Sequence, residues 1–160
     1  MNKALFLDRD GVINKNFGHV HRIENFKFRK GIFELLNIFK DKGYIILVIT
    51  NQAGIGKGLY TLDQFHFLNS WMIDQFRKKG ITISKTYFCP HKSEDNCNCR
   101  KPKPGMLLMA IKDFQIDTNS SFLIGDKMSD IYAGKSAKIK YNYILKDSIL
   151  KLFISMRRFL

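Results

Sequence analysis

Two aspartates stand two residues apart in Phe6-Leu7-Asp8-Arg9-Asp10-Gly11-Val12. An Asp-x-Asp pair alone is a weak signal, because most such pairs are solvated turn residues. Here the pair directly follows an apolar run, where a carboxylate must be paired or metal-bound to be tolerated. Ile49-Thr50-Asn51-Gln52 ends a second apolar run with a hydroxyl and two amides, groups suited to holding a phosphate. Ile124-Gly125-Asp126-Lys127 ends a third with another carboxylate, and Asp130 follows one helical turn on. Arg100 and Lys101 precede a helix N-terminus, which itself favours an anion. Just before them, Cys89-x-His91-x5-Cys97-x-Cys99 holds all three cysteines of the chain. The odd count and an expected reducing compartment argue against disulfides. Cys97 and Cys99 are one residue short of a Cys-x-x-Cys redox pair. Three thiolates and one imidazole in so short a span match a closed structural Zn²⁺ site with Cys89, His91, Cys97 and Cys99 as ligands.

These residues need elements to hold them. Ala4-Leu5-Phe6-Leu7 reads as a strand buried on both faces. Ile32, Leu35, Leu36 and Phe39 fall at helical spacing within residues 30–42, and Gly43 is a stop signal. A strand over residues 44–50 follows, then a loop with Gly54, Gly56 and Gly58, then a helix over residues 61–79. Thr61 and Gln64 form a capping box at its start. Residues 83–88 make a third strand that runs into the cysteine segment. Residues 105–114 are helical, 121–124 a strand, 129–137 a helix and 141–145 a last strand. Alternating strands and helices predict an α/β fold, a three-layer Rossmann-like parallel sheet with helices on both faces. In such sheets ligands bind beyond the carboxyl ends of the strands, which gathers Asp8, Asp10, Thr50, Cys89 and Asp126 at one edge. Apolar residues at 149, 152, 153, 156 and 160 share one face, predicting a C-terminal helix over about 147–158. Docking on the sheet is favoured for it over a basic membrane-surface helix or a dimer contact.

In combination, Asp8-x-Asp10-Gly11, Thr50, Lys101-Pro102 and Gly125-Asp126-x-x-x-Asp130 resemble the ordered signatures of the haloacid dehalogenase superfamily of aspartyl-phosphate phosphatases. The resemblance spans residues 3–145. It implies Asp8 as nucleophile and Asp10 as general acid and base. It implies Mg²⁺ held by Asp8, the backbone carbonyl of Asp10, and Asp126. Thr50, Asn51, Gln52 and Lys101 would hold the transferring phosphoryl group. Asp130 is read rather as a support for Lys127 or a cap of its helix. The zinc loop ahead of Arg100-Lys101-Pro102 resembles a subfamily that contains heptose 1,7-bisphosphate phosphatases and histidinol-phosphate phosphatases. In it zinc pins a substrate loop where other members carry a large cap domain. Residues 16–26, Asn51-Gln52-Ala53-Gly54-Ile55 and Lys103-Pro104-Gly105-Met106 are similar to the heptose enzymes. This implies cleavage at C7 on the route to nucleotide-activated heptose for lipopolysaccharide or capsule. Asn16, His19, Arg100 and Lys127 are implied as substrate contacts. For His19 and His21 a solvated loop histidine is the alternative. The short gap between His91 and Cys97 is closer to the histidinol enzymes, which stand as the alternative. Two departures from the heptose pattern are Ala53 in place of a serine and Gly56-Lys57 in place of Ala-Arg.

The 160 residues suit one domain over 1–160, with about 70% of the unfolded chain's surface buried. The net charge of +13 fits nucleic acid, membranes or anionic small molecules. The lysines are spread along the whole chain, and no recognition helix or RNA-binding aromatic motif is present. A basic nucleic-acid binder is therefore ranked last, behind a catalytically idle binding module. Intact Asp8, Asp10, Thr50, Lys101 and Asp126 argue against idleness. No apolar run is long enough to span a bilayer, and charge arrives too early for a signal peptide. A cytoplasmic monomer acting on a small phosphorylated sugar is the expectation.

Overall fold

The computed structural model describes residues 1–160. Five strands form a single sheet: β1 Ala4–Leu7, β2 Ile45–Asn51, β3 Ile83–Cys89, β4 Phe122–Gly125 and β5 Tyr141–Ile144. Six helices accompany them: α1 Ile32–Asp41, α2 Ala53–Gly56, α3 Leu62–Arg77, α4 Gly105–Phe114, α5 Met128–Ser136 and α6 Ile149–Met156. All strand pairs are parallel, in the order β3-β2-β1-β4-β5.

The period of two along each strand divides the side chains between two cores. Leu5, Leu7, Ile46 and Val48 face one side, where α1, α3 and α6 supply Leu36, Met72 and Leu152. Ala4, Phe6, Leu47 and Ile49 face the other, where α4 and α5 supply Leu107 and Ala133. The expected three-layer parallel sheet is therefore present. No domain is inserted; two long connections, residues 8–31 and 90–104, overhang the carboxyl edge instead.

Thr61 caps α3 as expected: its hydroxyl accepts from Gln64 N, and Gln64 Oε1 accepts from Thr61 N. The C-terminal helix is shorter than residues 147–158. Ser148 caps it by accepting from Lys151 N, and after Met156 the chain tightens into a 3-10 turn. Its predicted face is docked, with Ile149, Leu152 and Met156 buried in the first core. The expected glycine-rich loop instead contains α2. Gly54 and Gly56 read as breakers in sequence, yet Gly56 N donates to the Pro90 carbonyl and fastens α2 to the cysteine segment. No helix is long and apolar enough to cross a membrane.

The chain runs from β1 outward to β3 and then returns to place β4 on β1's other side. The strand order reverses there, so the ends of β1 and β4 flank the position where such sheets bind ligands.

Candidate active site

Asp8 follows β1 directly, its N–H donating to the Ile124 carbonyl of β4 at 3.0 Å. A tight turn comes next, in which the N–H groups of Val12, Ile13 and Asn14 all donate to the Arg9 carbonyl. Gly11 sits at φ +94°, and a Cβ there would collide with the Asp126 carboxylate. Only glycine combines that backbone with that approach. The turn thus brings the ends of β1 and β4 together, and carboxylate oxygens of Asp8, Asp126 and Asp130 lie within 4.8 Å of one another.

Lys101 is the cation among them. Its Nζ is 3.2 Å from Asp8 Oδ1 and 2.6 Å from Asp130 Oδ1, and donates to the Ile49 carbonyl at 2.7 Å. Asp130 Oδ2 accepts from the N–H groups of Asp126 and Lys127 at 3.1 and 3.0 Å. Asp130 therefore caps α5 and braces Lys101, with both oxygens committed. Asp8 and Asp126 remain under-neutralised. Burial pushes the Asp8 carboxyl up to about 7, against the pull of Lys101 and reinforced by Asp130, Asp10 and Asp126. Burial, then Asp130, likewise raises Asp126, whose Oδ1 is buried with no hydrogen-bond partner. A hard divalent cation between Asp8 and Asp126 would satisfy that orphaned oxygen and offset the crowding, so the donor set fits Mg²⁺.

Asp8 and Asp10 line a cleft of about 580 Å³ together with Asn16, His19, Asn51, Gln52, Arg100, Lys101 and Lys127. Thr50 and Asp126 stand behind the lining. Thr50 is fully buried, and its hydroxyl accepts from Gln52 Nε2 at 2.9 Å, leaving its own hydrogen free to donate. The two amides expected to hold phosphate line the cleft and also bond within the protein. Asn51 exchanges two hydrogen bonds with the Lys101 backbone, both at 3.1 Å, clamping β2 to the cationic segment. Gln52 bridges Thr50 and Asp10 and accepts from Tyr60.

Cys89, His91, Cys97 and Cys99 converge as the spacing predicts, with ligand atoms within 4.8 Å of one another. Cys97 Sγ is 3.5 Å from the sulfurs of Cys89 and Cys99, and His91 Nδ1 is 3.2 Å from Cys99 Sγ. A tetrahedral Zn²⁺ about 2.3 Å from each sulfur sets sulfurs about 3.8 Å apart, so the donor set fits that ion once Cys89 Sγ and Cys99 Sγ, 2.8 Å apart here, spread around it. Burial pushes the Cys89 and Cys99 thiols up. At Cys97 burial is outweighed by the Arg100 N–H and the neighbouring thiols, which pull it down to about 6. Arg100 Nη1 donates to the His91 carbonyl at 3.4 Å, tying the cluster to the cleft.

A family model described as "Polynucleotide kinase 3 phosphatase" matches residues 4–150. The chain is 51% identical to D-glycero-beta-D-manno-heptose-1,7-bisphosphate 7-phosphatase of Helicobacter pylori, over 94% of this chain and 87% of that one. The chain belongs to the heptose bisphosphatase family of the haloacid dehalogenase superfamily. An alpha-anomer-named family member from Burkholderia mallei is 47% identical, over 91% of this chain and 81% of its own length. The family fold is also that of D,D-heptose 1,7-bisphosphate phosphatase from B. bronchiseptica, solved with magnesium and phosphate. That structure superimposes with a TM-score of 0.81 at 22% identity, covering 96% of this chain and 86% of that one.

Three side chains of this family site escaped the sequence reading: Arg9, Asn14 and Tyr60, which all touch Asp10 or its Gln52 partner. The only available signal was the arginine between the two aspartates. A charged residue one step beyond Asp8, at the end of a buried strand, has to be paired if it turns inward.

Proposed function

We propose that the protein is a Mg²⁺-dependent phosphatase that hydrolyses the C7 phosphate of D-glycero-D-manno-heptose 1,7-bisphosphate through a phosphoaspartate. The observation that carries this is Asp8 beside Lys101, at the end of β1 in a cleft lined mainly by polar side chains. An Asp8 oxygen attacks phosphorus as the P–O bond to C7 breaks, and the Asp10 proton passes to the leaving sugar oxygen. Asp10 then takes a proton from water as that water attacks the phosphoaspartate, freeing inorganic phosphate and regenerating Asp8. When bound by Asp8, Asp126 and the Asp10 carbonyl, Mg²⁺ supplies charge neutralisation for the attack. The Thr50 hydroxyl and Lys101 donate to the phosphoryl oxygens, while Asn51 keeps Lys101 in place.

A second phosphate on the substrate is favoured by the cations of the cleft. Lys57, Lys92, Arg100 and Lys127 line it without an acidic partner. Histidinol phosphate carries an amine and an imidazole, which those cations would repel. The named relatives are heptose bisphosphatases, so the histidinol alternative gains no support from them. Phosphate release from the heptose bisphosphate should exceed that from histidinol phosphate by at least about tenfold in kcat/KM, a gap of about 1.4 kcal/mol. Faster turnover of histidinol phosphate would overturn the substrate assignment.

A further inference from the structure

The Asp10 carboxylate receives only donors. Arg9 Nη2 reaches its two oxygens at 3.1 and 3.0 Å, Asn14 Nδ2 reaches Oδ1 at 3.0 Å and Gln52 Nε2 reaches Oδ2 at 3.0 Å. The amide of Gln52 can point only one way. Its NH₂ must face the carboxylate and its Oε1 must therefore meet the Tyr60 hydroxyl, which donates to it at 2.5 Å. Tyr60 is buried, and burial pushes its phenol up to about 12, so it remains a donor. Its ring stacks on His21 with centroids 4.9 Å apart. Arg9 is almost fully buried, and the same Nη2 donates to the Val20 carbonyl at 2.6 Å. Its Nε and Nη1 have no partner, and the guanidinium lies about 6.0 and 5.9 Å from the ring centres of Phe26 and Phe65. Asp10 is the single acidic partner of this buried cation, and separating the two would leave an uncompensated buried charge.

We infer that Arg9 and the Gln52–Tyr60 pair are positioning residues that aim the Asp10 carboxyl at the leaving-group oxygen. This rests on the reading of Asp10 as general acid and goes beyond it by naming what fixes the acid's direction. A short side chain with two torsions would otherwise lose alignment with a bound ester, and misalignment of that kind is costly in rate. Because every protein group hydrogen-bonded to the Asp10 carboxylate is a donor, none of them can take a proton from it. The proton passes to the ester oxygen as the P–O bond breaks. Arg9 and Tyr60 also fasten the segment of Asn16 and His19 to the same carboxyl, through Val20 and His21.

The test compares leaving groups. An alkyl phosphate such as the heptose bisphosphate needs its leaving oxygen protonated; p-nitrophenyl phosphate expels an acidic phenol and does not. In kcat/KM, which reports formation of the phosphoenzyme, Tyr60→Phe should cost about 3- to 10-fold on the sugar phosphate, the loss of one buried hydrogen bond. Gln52→Met should cost about 30- to 100-fold, less than the 10²- to 10⁴-fold lost when general-acid help is removed outright. Arg9→Lys should fall between them; Tyr60→Phe and Arg9→Lys should change the aryl phosphate by less than about twofold, while Gln52→Met, which also frees the Thr50 hydroxyl, should still cost the aryl phosphate less than the sugar phosphate. Equal losses on both substrates, or none in Gln52→Met, would overturn the inference and leave these residues as packing. Asp10→Asn is the control. If its own loss is equal on the two substrates, the general-acid reading fails and takes the inference with it. A selective loss in Asp10→Asn with no selectivity in the brace variants sinks the inference alone. Tyr60→Phe keeps the ring and its packing, so it serves where the other variants do not fold.

Discussion

A carboxylate at the end of a buried strand needs a cation, and Asp8 has one in Lys101 and room for another beside Asp126. Asp8→Asn should abolish turnover, because an amide does not attack phosphorus. Asp10→Asn should lower kcat by about 10²- to 10⁴-fold, the range for lost acid–base help. Both are read by phosphate release from protein purified free of other phosphatases; near wild-type activity in Asp8→Asn would contradict the mechanism. Gly11 makes a separate prediction. Gly11→Ala places a methyl group where the Asp126 carboxylate lies, at a left-handed backbone position. It should raise the Mg²⁺ concentration needed for half-maximal activity and lower kcat at saturation. A Mg²⁺ titration unchanged from wild type would show that Asp126 does not need that approach.

The zinc loop is the element that turns local folding into cleft geometry. Its cysteines bracket a connection that ends at Arg100 and Lys101, and Asn51 clamps Lys101 from β2. Cys97→Ala should abolish tight Zn²⁺ binding, as metal binding here is part of the loop's folding energy. It should lower activity without altering the carboxylates. Mild EDTA should halt turnover reversibly, restored by Mg²⁺, with one zinc per chain retained by elemental analysis. Protein purified without chelators that holds no zinc would contradict the site. Thr61→Ala, which removes the cap of α3, should cost about 1 kcal/mol in denaturant unfolding. Much at this scale was legible in sequence. The strands announced themselves as apolar runs with charges at their ends, so Asp8, Thr50, Cys89 and Asp126 were placed at one edge. The side-chain directions beyond those ends were not legible. Asn51 and Gln52 were read as phosphate donors because their amides follow Thr50; their bonds to Lys101 and Asp10, about fifty and forty residues away in sequence, left no mark in it. Likewise α2 was hidden because its glycines, which allow close approach to Tyr60 and Pro90, also signal a loop.

At the scale of the whole molecule, the sheet separates two cores and α6 completes one of them. Leu152→Ala should destabilise the protein by about 2–5 kcal/mol in denaturant unfolding, the cost of a buried cavity. A loss under about 0.5 kcal/mol, typical of a surface site, would mean that the helix is not docked. The net charge of +13 is mostly spread, but part of it is directed into the cleft. Raising salt from about 50 to about 200 mM should therefore reduce kcat/KM more for the heptose bisphosphate than for an aryl monophosphate. The most direct test of the central claim is phosphorus NMR of D-glycero-D-manno-heptose 1,7-bisphosphate during turnover by the Mg²⁺-loaded enzyme. The C7 ester resonance should be lost as inorganic phosphate grows, while the anomeric phosphate stays on the sugar. Loss of the anomeric phosphate first, or a bisphosphate left intact by an enzyme active on an aryl phosphate, would contradict that claim.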